Sequence, residues 1–338
     1  MNLSDNGYLA GSNLEKILNK GKFVVTGELG PPMSADPEVI REKAALLRGY
    51  VDAVNITDNQ TAIVRMSSIG AGVIVLDEGL EPVIQMTCRD RNRLAIQSDL
   101  LGAYALGMRN ILCLTGDHQK FGNHPTSKNV FDLDSMQLVQ MVAEMRDKEI
   151  FQSGDSFSGS AARFYVGAAA APFADPIDFR PLRLAKKVKA GASFIQTQLV
   201  YDIPAFKKYM KEVRSLGLHE KTAILAGVGP IKSPGMARYI KHNVPGILVP
   251  DKIIDKMTEA GKQWAGKKSS DLSPEEKKER SNAWKSAGIE ICIELIQQLK
   301  DIQGVAGVHI MAIEWEEAVK PIVESAGLLP RPEVKEFA

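Results

Sequence analysis

Eight times between Lys22 and Ile313, a short run of β-branched or apolar residues gives way to a longer stretch with helical spacing. No other feature of the chain limits its fold as tightly. The runs predicted as strands are 22–29 (KFVVTGEL), 51–57 (VDAVNIT), 82–88 (PVIQMTC) and 109–116 (RNILCLTG), then 163–170 (RFYVGAAA), 192–200 (ASFIQTQLV), 222–228 (TAILAGV) and 305–313 (VAGVHIMAI). Punctuation between them suits helices. Pro37 stands near the first turn of one running to Gly49, Gly107 and Gly191 stand where two should stop, and Asp134 or Ser135 can cap another. Further helices are predicted from near Pro204, from Ser233 to His242 and from near Trp315, and the segment after the second strand is expected to end near Gly72.

Repeated β-then-α units imply parallel strands, and eight of them close most simply on themselves. The expected fold is therefore an α/β, (βα)8 TIM barrel forming one domain over residues 1–338. Residues 1–21 read as an N-terminal extension, and 251–300 as a helical insert between units seven and eight. Within that insert, 267–281 (KKSSDLSPEEKKERS) is a charged surface excursion, and 153–160 (SGDSFSGS) is a solvated loop.

The balance of 42 basic and 41 acidic residues leaves no net field to steer the chain toward nucleic acid. Three scattered cysteines allow neither a disulfide framework nor a zinc set, and His118 and His124 lack metal-ligand spacing. There is no apolar leader and no run of 18 apolar residues, so a cytoplasmic chain without a membrane partner is expected. Nucleotide motifs are near-misses. GVGP (227–230) lacks the third glycine of a dinucleotide loop, and GKQWAGKK (261–268) ends in Lys268 with no strand before it.

In a parallel barrel, chemistry gathers where strands end and βα loops begin. Those positions hold Glu28, Thr57-Asp58-Asn59, Thr87, Thr115-Gly116-Asp117, Ala170, Gln198 and Glu314. Strand ends are always more polar than strand centres, so each residue alone says little. Together, with carboxylates among them, they mark one face as a candidate site without naming a reaction.

Five segments, in order, give these positions a family resemblance: GELGPP (27–32), QMTCRDRNR (85–93), LTGD (114–117), KKVKAGASFIQTQLVYD (186–202) and GVAGVHIMAI (304–313). They resemble the methylenetetrahydrofolate reductase family over about residues 22–330. The wording VNITDNQTA and HIMAIEWEEA looks most like the reductases of acetogens and related anaerobes. The resemblance implies a flavin, FAD or FMN, across the barrel mouth. It would take hydride at N5 from NADH or another donor and pass it to the methylene carbon of methylenetetrahydrofolate, yielding methyltetrahydrofolate.

Opening the methylene bridge needs a proton donor at the leaving nitrogen. Glu28, between an apolar strand and Pro31-Pro32, is the expected general acid, since desolvation favours the neutral carboxyl. By resemblance, Asp117 tunes the flavin and binds folate, Gln198 meets the pterin edge, and Lys186 and Lys187 meet the flavin phosphates. Thr57, Gln85, Thr115, Gly116 and Ala170 line the cofactor. Gln85 stands where other members carry a histidine, Ala171 where an aromatic stands, and Arg180 and Arg183 replace an acid and an asparagine. A closing-strand arginine is also replaced near Trp315. A homo-oligomer is expected. The alternatives are a flavin- and folate-binding subunit working with an iron–sulfur or zinc partner instead of NADH, and a non-redox folate-binding barrel.

Overall fold

All eight expected strands form in the computed structural model, which describes residues 7–333. They are β1 (Val24–Leu29), β2 (Ala53–Ile56), β3 (Pro82–Thr87), β4 (Asn110–Leu114), β5 (Tyr165–Ala170), β6 (Phe194–Leu199), β7 (Ala223–Val228) and β8 (Val305–Ile310). Each pairs in parallel with the next, and β8 returns to β1 from Val24↔Gly307 to Gly27↔Ile310, closing the barrel. Ten helices follow or precede these strands on the outside: α2 (Glu38–Leu47), α3 (Ser68–Asp77), α4 (Arg93–Ala105), α5 (Ser135–Asp147), α6 (Arg180–Ala190), α7 (Ile203–Ser215), α8 (Pro234–Asn243), α9 (Asp251–Ala260), α10 (Pro274–Lys300) and α11 (Val319–Ser325). An eleventh, α1 (Asn13–Asn19), precedes β1.

Local chemistry explains most boundaries. The Asp134 carboxylate accepts the N–H groups of Met136 and Gln137, and the Gln137 side chain accepts the Asp134 N–H, a reciprocal cap that starts α5. Gly191 ends α6 at φ 113°, a backbone angle that glycine adopts without steric cost. Two expectations need correction. Gly72 does not end a segment but sits inside α3, where an added Cβ would lie 2.8 Å from the Met108 methyl carbon. The glycine is there for close packing. Near Trp315, residues Glu316–Ala318 form a 3-10 turn, and the α-helix begins only at Val319.

Residues 1–6 and 334–338 of the expected single domain lie outside the described residues. The stretch expected as an extension contains a helix that closes the N-terminal end of the barrel. Leu14 and Ile17 of α1 are fully buried against Val24, Ala53, Val83, Leu112, Tyr165, Phe194 and Leu225, residues drawn from seven strands. The helix is pinned at its start by Glu81, whose carboxylate accepts the N–H groups of Asn13 and Leu14 at 2.5 and 2.9 Å and the Asn110 amide at 2.9 Å. The unpaired donors of the helix N-terminus find their acceptor there, while burial pushes the Glu81 carboxyl above its ordinary pKa.

The insert divides in two. The first half of α10 carries the charged, largely exposed run, whereas Ala287, Gly288, Ile291, Cys292, Leu295, Ile296 and Leu299 bury one face of its second half. Gly288 lies so close to the chain after β7 that an added Cβ would fall 1.9 Å from the Ile231 carbonyl oxygen. This half is the barrel's own return helix to β8.

Candidate active site

Side chains alternate across a strand, so β1 sends Val24, Thr26 and Glu28 toward the barrel axis and Val25, Gly27 and Leu29 toward the helices. Above the apolar layer at the base, the interior turns polar. Thr26, Asn55, Gln196 and His309 are all buried there. The Asn55 amide donates to the Gln196 Oε1 at 2.6 Å, and the Gln196 Nε2 donates to the Asn55 Oδ1 at 2.9 Å and the Thr26 Oγ1 at 3.1 Å. Thr26 Oγ1 in turn meets His309 Nδ1 at 2.9 Å. The other nitrogen of that ring, Nε2, faces Glu28 Oε2 at 3.6 Å.

Over this layer lies a cavity of about 330 Å³ at the C-terminal ends of the strands. Glu28 and His309 are on its floor, and Gln85, Gln196 and Gln198 border it. Ala169, Ala170 and Ala171 form a wall with nothing beyond Cβ, beside Leu112 and Leu114. The wall from α6 is cationic, with Arg180, Arg183 and Lys187 recurring at helical spacing. Glu28 is the one carboxylate in that lining.

Lys187 is buried and donates to the Ala169 carbonyl at 2.5 Å. Burial, reinforced by the Arg183 charge, pulls its pKa down from 10.5 to about 8. Arg180 is occupied by the backbone carbonyls of Ala174 and Asp175. The Gln198 Oε1 accepts the Leu199 N–H at 2.9 Å, which leaves its NH₂ group to turn toward the cavity.

Of the expected site residues, Glu28, Gln85, Ala170, Lys187 and Gln198 thus surround one cavity. Thr57 is buried at the end of β2 with its hydroxyl unpartnered among the described residues. Thr115 and Asp117 are exposed on the rim. The Asp117 backbone carbonyl is held by the buried Arg89 guanidinium at 3.2 Å, but its side chain is not in the lining. Gly116 has φ 92°, and a Cβ there would press to 3.0 Å on both Thr87 and Arg89. Lys186 is on the outer side of α6, with its ammonium 5.5 Å from the Phe179 ring centroid.

Arg183 and His309 also line the cavity, and neither is among the site residues expected from the sequence. His309 carried a readable signal, since it is the polar residue at an inward position of an otherwise apolar strand. Neighbouring Asp58 is structural: its Oδ2 accepts from the Thr87 N–H and hydroxyl at 2.9 and 2.8 Å and pairs with Arg91 at 2.8 Å. Among the described residues no cluster of three His, Cys, Asp or Glu could hold a metal ion, and no helix is long and apolar enough to cross a membrane.

A closed parallel barrel with its polar cavity at the C-terminal strand ends has the layout of a (βα)8 enzyme site. The family model for methylenetetrahydrofolate reductase matches residues 13–327, and the chain belongs to that family. It is 25% identical over 324 residues to a probable methylenetetrahydrofolate reductase (NADPH) of Caenorhabditis elegans, covering 93% of this chain and 44% of the relative. It is 28% identical over 259 residues to methylenetetrahydrofolate reductase 2 of Schizosaccharomyces pombe, covering 73% of this chain and 36% of the relative. The chain therefore spans less than half the length of these curated relatives. Among solved structures it is similar in fold to an uncharacterized protein from Clostridium thermocellum that binds two copies of 5-methyl-5,6,7,8-tetrahydrofolic acid. That likeness has a TM-score of 0.59 at 14% identity and covers 94% of this chain and 100% of that one.

Proposed function

We propose that this barrel catalyses flavin-dependent reduction of methylenetetrahydrofolate to methyltetrahydrofolate, with Glu28 as the general acid. The observation that carries the reading is the pairing of one half-buried carboxyl on the cavity floor with a cationic wall across from it. The residues present fit a flavin. The Ala169-Ala170-Ala171 wall leaves room for a flat ring system, Gln85 offers an amide to its edge, and Arg183 and Lys187 suit a phosphate. FAD and FMN both carry that phosphate. A bound flavin would supply the hydride carrier.

The chain's own residues do the rest. Glu28 delivers its proton to the leaving nitrogen of the methylene bridge, where the breaking C–N bond leaves an electron pair. The Gln198 NH₂ group orients the pterin edge. Thr57, Thr115 and Gly116 stand in the loops around the mouth, and Asp117, exposed and outside the cavity lining, would tune the flavin and bind folate as the family resemblance implies. The Clostridium thermocellum protein binds a methylated folate in a barrel of like fold, which supports the substrate class.

Glu28→Gln tests the assignment. The variant should bind flavin as wild type does yet lose methylenetetrahydrofolate reduction by 10²–10⁴-fold, the usual worth of a positioned acid. Near-normal turnover overturns the acid role. Adding methyltetrahydrofolate and, separately, NADH to the oxidised wild-type protein under anaerobic conditions tests the rest. Bleaching by both makes the chain a self-sufficient reductase. Bleaching by the folate alone assigns electron delivery to a partner subunit, and an absence of flavin binding refutes the reading.

A further inference from the structure

Below Glu28 lies a buried group that the reaction above does not use. His309 is almost fully enclosed, and its two nitrogens face different partners: Nδ1 toward Thr26 Oγ1 and Nε2 toward Glu28 Oε2. Which nitrogen carries the proton follows from the hydrogen-bond directions around it. Gln196 has two amide hydrogens, and Asn55 Oδ1 and Thr26 Oγ1 take both. The Thr26 hydroxyl accepts from Gln196, and among the described residues His309 Nδ1 is the acceptor its own hydrogen meets; the Gln196 Nε2 also faces that nitrogen at 3.5 Å. Nδ1 is then an acceptor, and the proton of the neutral ring sits on Nε2, directed at the carboxyl of Glu28.

We infer that the buried chain Asn55–Gln196–Thr26 fixes the tautomer of His309, and that His309 is the positioning residue for the acid. This inference rests on the reductase reading of Glu28. At 3.6 Å the Nε2 to Oε2 approach is longer than a hydrogen bond, and such contacts at catalytic groups tighten when substrate closes the site. An N–H held on Oε2 leaves Oε1 to carry the acid proton into the cavity. When that O–H bond breaks and the proton passes to the leaving nitrogen, the new carboxylate charge falls on an oxygen that already faces a donor. Such a charge-assisted bond is stronger than the neutral one it replaces, so His309 contributes more to the transition state than to the ground state. Without the Thr26 hydroxyl the ring can take the other tautomer and turn a lone pair toward Glu28, which repels the carboxylate as it forms.

Two measurements test this. In the ligand-free protein, ¹⁵N-labelled histidine should show His309 with a protonated Nε2 and a bare Nδ1 at neutral pH, and Thr26→Val should abolish that preference. A protonated Nδ1 in wild type would mean that the Asn55–Gln196 pair is oriented the other way, and it overturns the inference. In the flavin-loaded enzyme, reoxidation of reduced flavin by methylenetetrahydrofolate should slow about 10–100-fold in His309→Leu and recover to within about 5-fold of wild type in His309→Gln, whose amide restores a donor. Reduction of the flavin by its donor, and the Kd for folate, should change by less than about 2-fold, because the acid acts in neither.

Equal losses in both half-reactions, or a Leu variant as fast as wild type, defeat the positioning role. Glu28→Gln separates the two levels of failure. A slow Glu28→Gln with a fast His309→Leu removes only the inference, whereas a fast Glu28→Gln removes the reading beneath it.

Discussion

Lys187 should make this protein gain stability in alkali relative to a variant without that amine. The fold depresses its pKa from 10.5 to about 8, chiefly through burial. The sign follows from proton counts: between those two values the unfolded chain keeps the proton that the folded chain has lost, so stability rises with pH across the window. Below about pH 8 the folded protein carries the full penalty of a buried ammonium, about 3 kcal/mol for a displacement of this size. Between pH 7 and 9.5 about 2 kcal/mol of it is relieved.

Lys187→Met keeps much of the packing volume and removes the titration. Urea unfolding of the ligand-free wild type and variant at pH 7 and pH 9.5 isolates the effect, because every other titrating group cancels in the double difference. The wild type should gain about 2 kcal/mol on the variant across that interval. The absolute difference at either pH also contains the loss of the bond to Ala169, so only the change with pH is diagnostic. A change smaller than about 0.5 kcal/mol would refute the claim that this amine is desolvated in the folded chain. An anionic ligand against the α6 wall should raise the pKa again and flatten the pH dependence, which the same assay with a bound flavin nucleotide would show.

Other expectations follow from single contacts. Gln198→Ala should raise the Kd for folate about 10-fold while leaving reduction of the flavin by its donor within about 2-fold, read by equilibrium titration and rapid-mixing kinetics. Arg331→Ala should destabilise the fold by about 3 kcal/mol in denaturant unfolding, because it strands the buried Asp52 carboxylate, which otherwise pairs with Arg331 and accepts the Val25 N–H. Glu81→Ala should cost about 3 kcal/mol and strip amide-exchange protection from Asn13–Asn19, since two N–H groups of α1 lose their acceptor.

The strands were legible because period and punctuation agree. Every expected run contains the observed one, and the differences are end residues, some of which still bond to the next strand, as the Val200 N–H does to the Gly227 carbonyl at 2.8 Å. Gly72 misled because a glycine in a helix reads as a stop, whereas here a neighbour's side chain needs the space. Nothing local in residues 1–21 announced a barrel-closing helix. Leu14 and Ile17 make sense only against residues from seven strands, a contact that no sequence window spans.

The site shows the same limit. Glu28, Gln85, Ala170, Lys187 and Gln198 could be placed from strand order and family likeness, because each sits at or beside a strand end. Lys186 and Lys187 look alike in the sequence but point in different directions from α6, one exposed and one buried, since adjacent helical residues lie about 100° apart. His309 escaped notice because its meaning comes from Thr26 and Gln196, 283 and 113 residues away in the chain.

The helix beneath the barrel also closes off its base. Under the cavity come the Thr26–Gln196 layer, the stacked rings of Tyr165 and Phe194 at 5.4 Å, and then Leu14 and Ile17, so the described residues leave nothing to pass through below. The cavity described above opens at the C-terminal ends of the strands. Under the activity proposed above, a hydride donor and a folate would share that mouth, so a large excess of either should hinder the other. Double-reciprocal plots at fixed levels of one substrate should then run parallel and bend upward at high concentrations of its competitor.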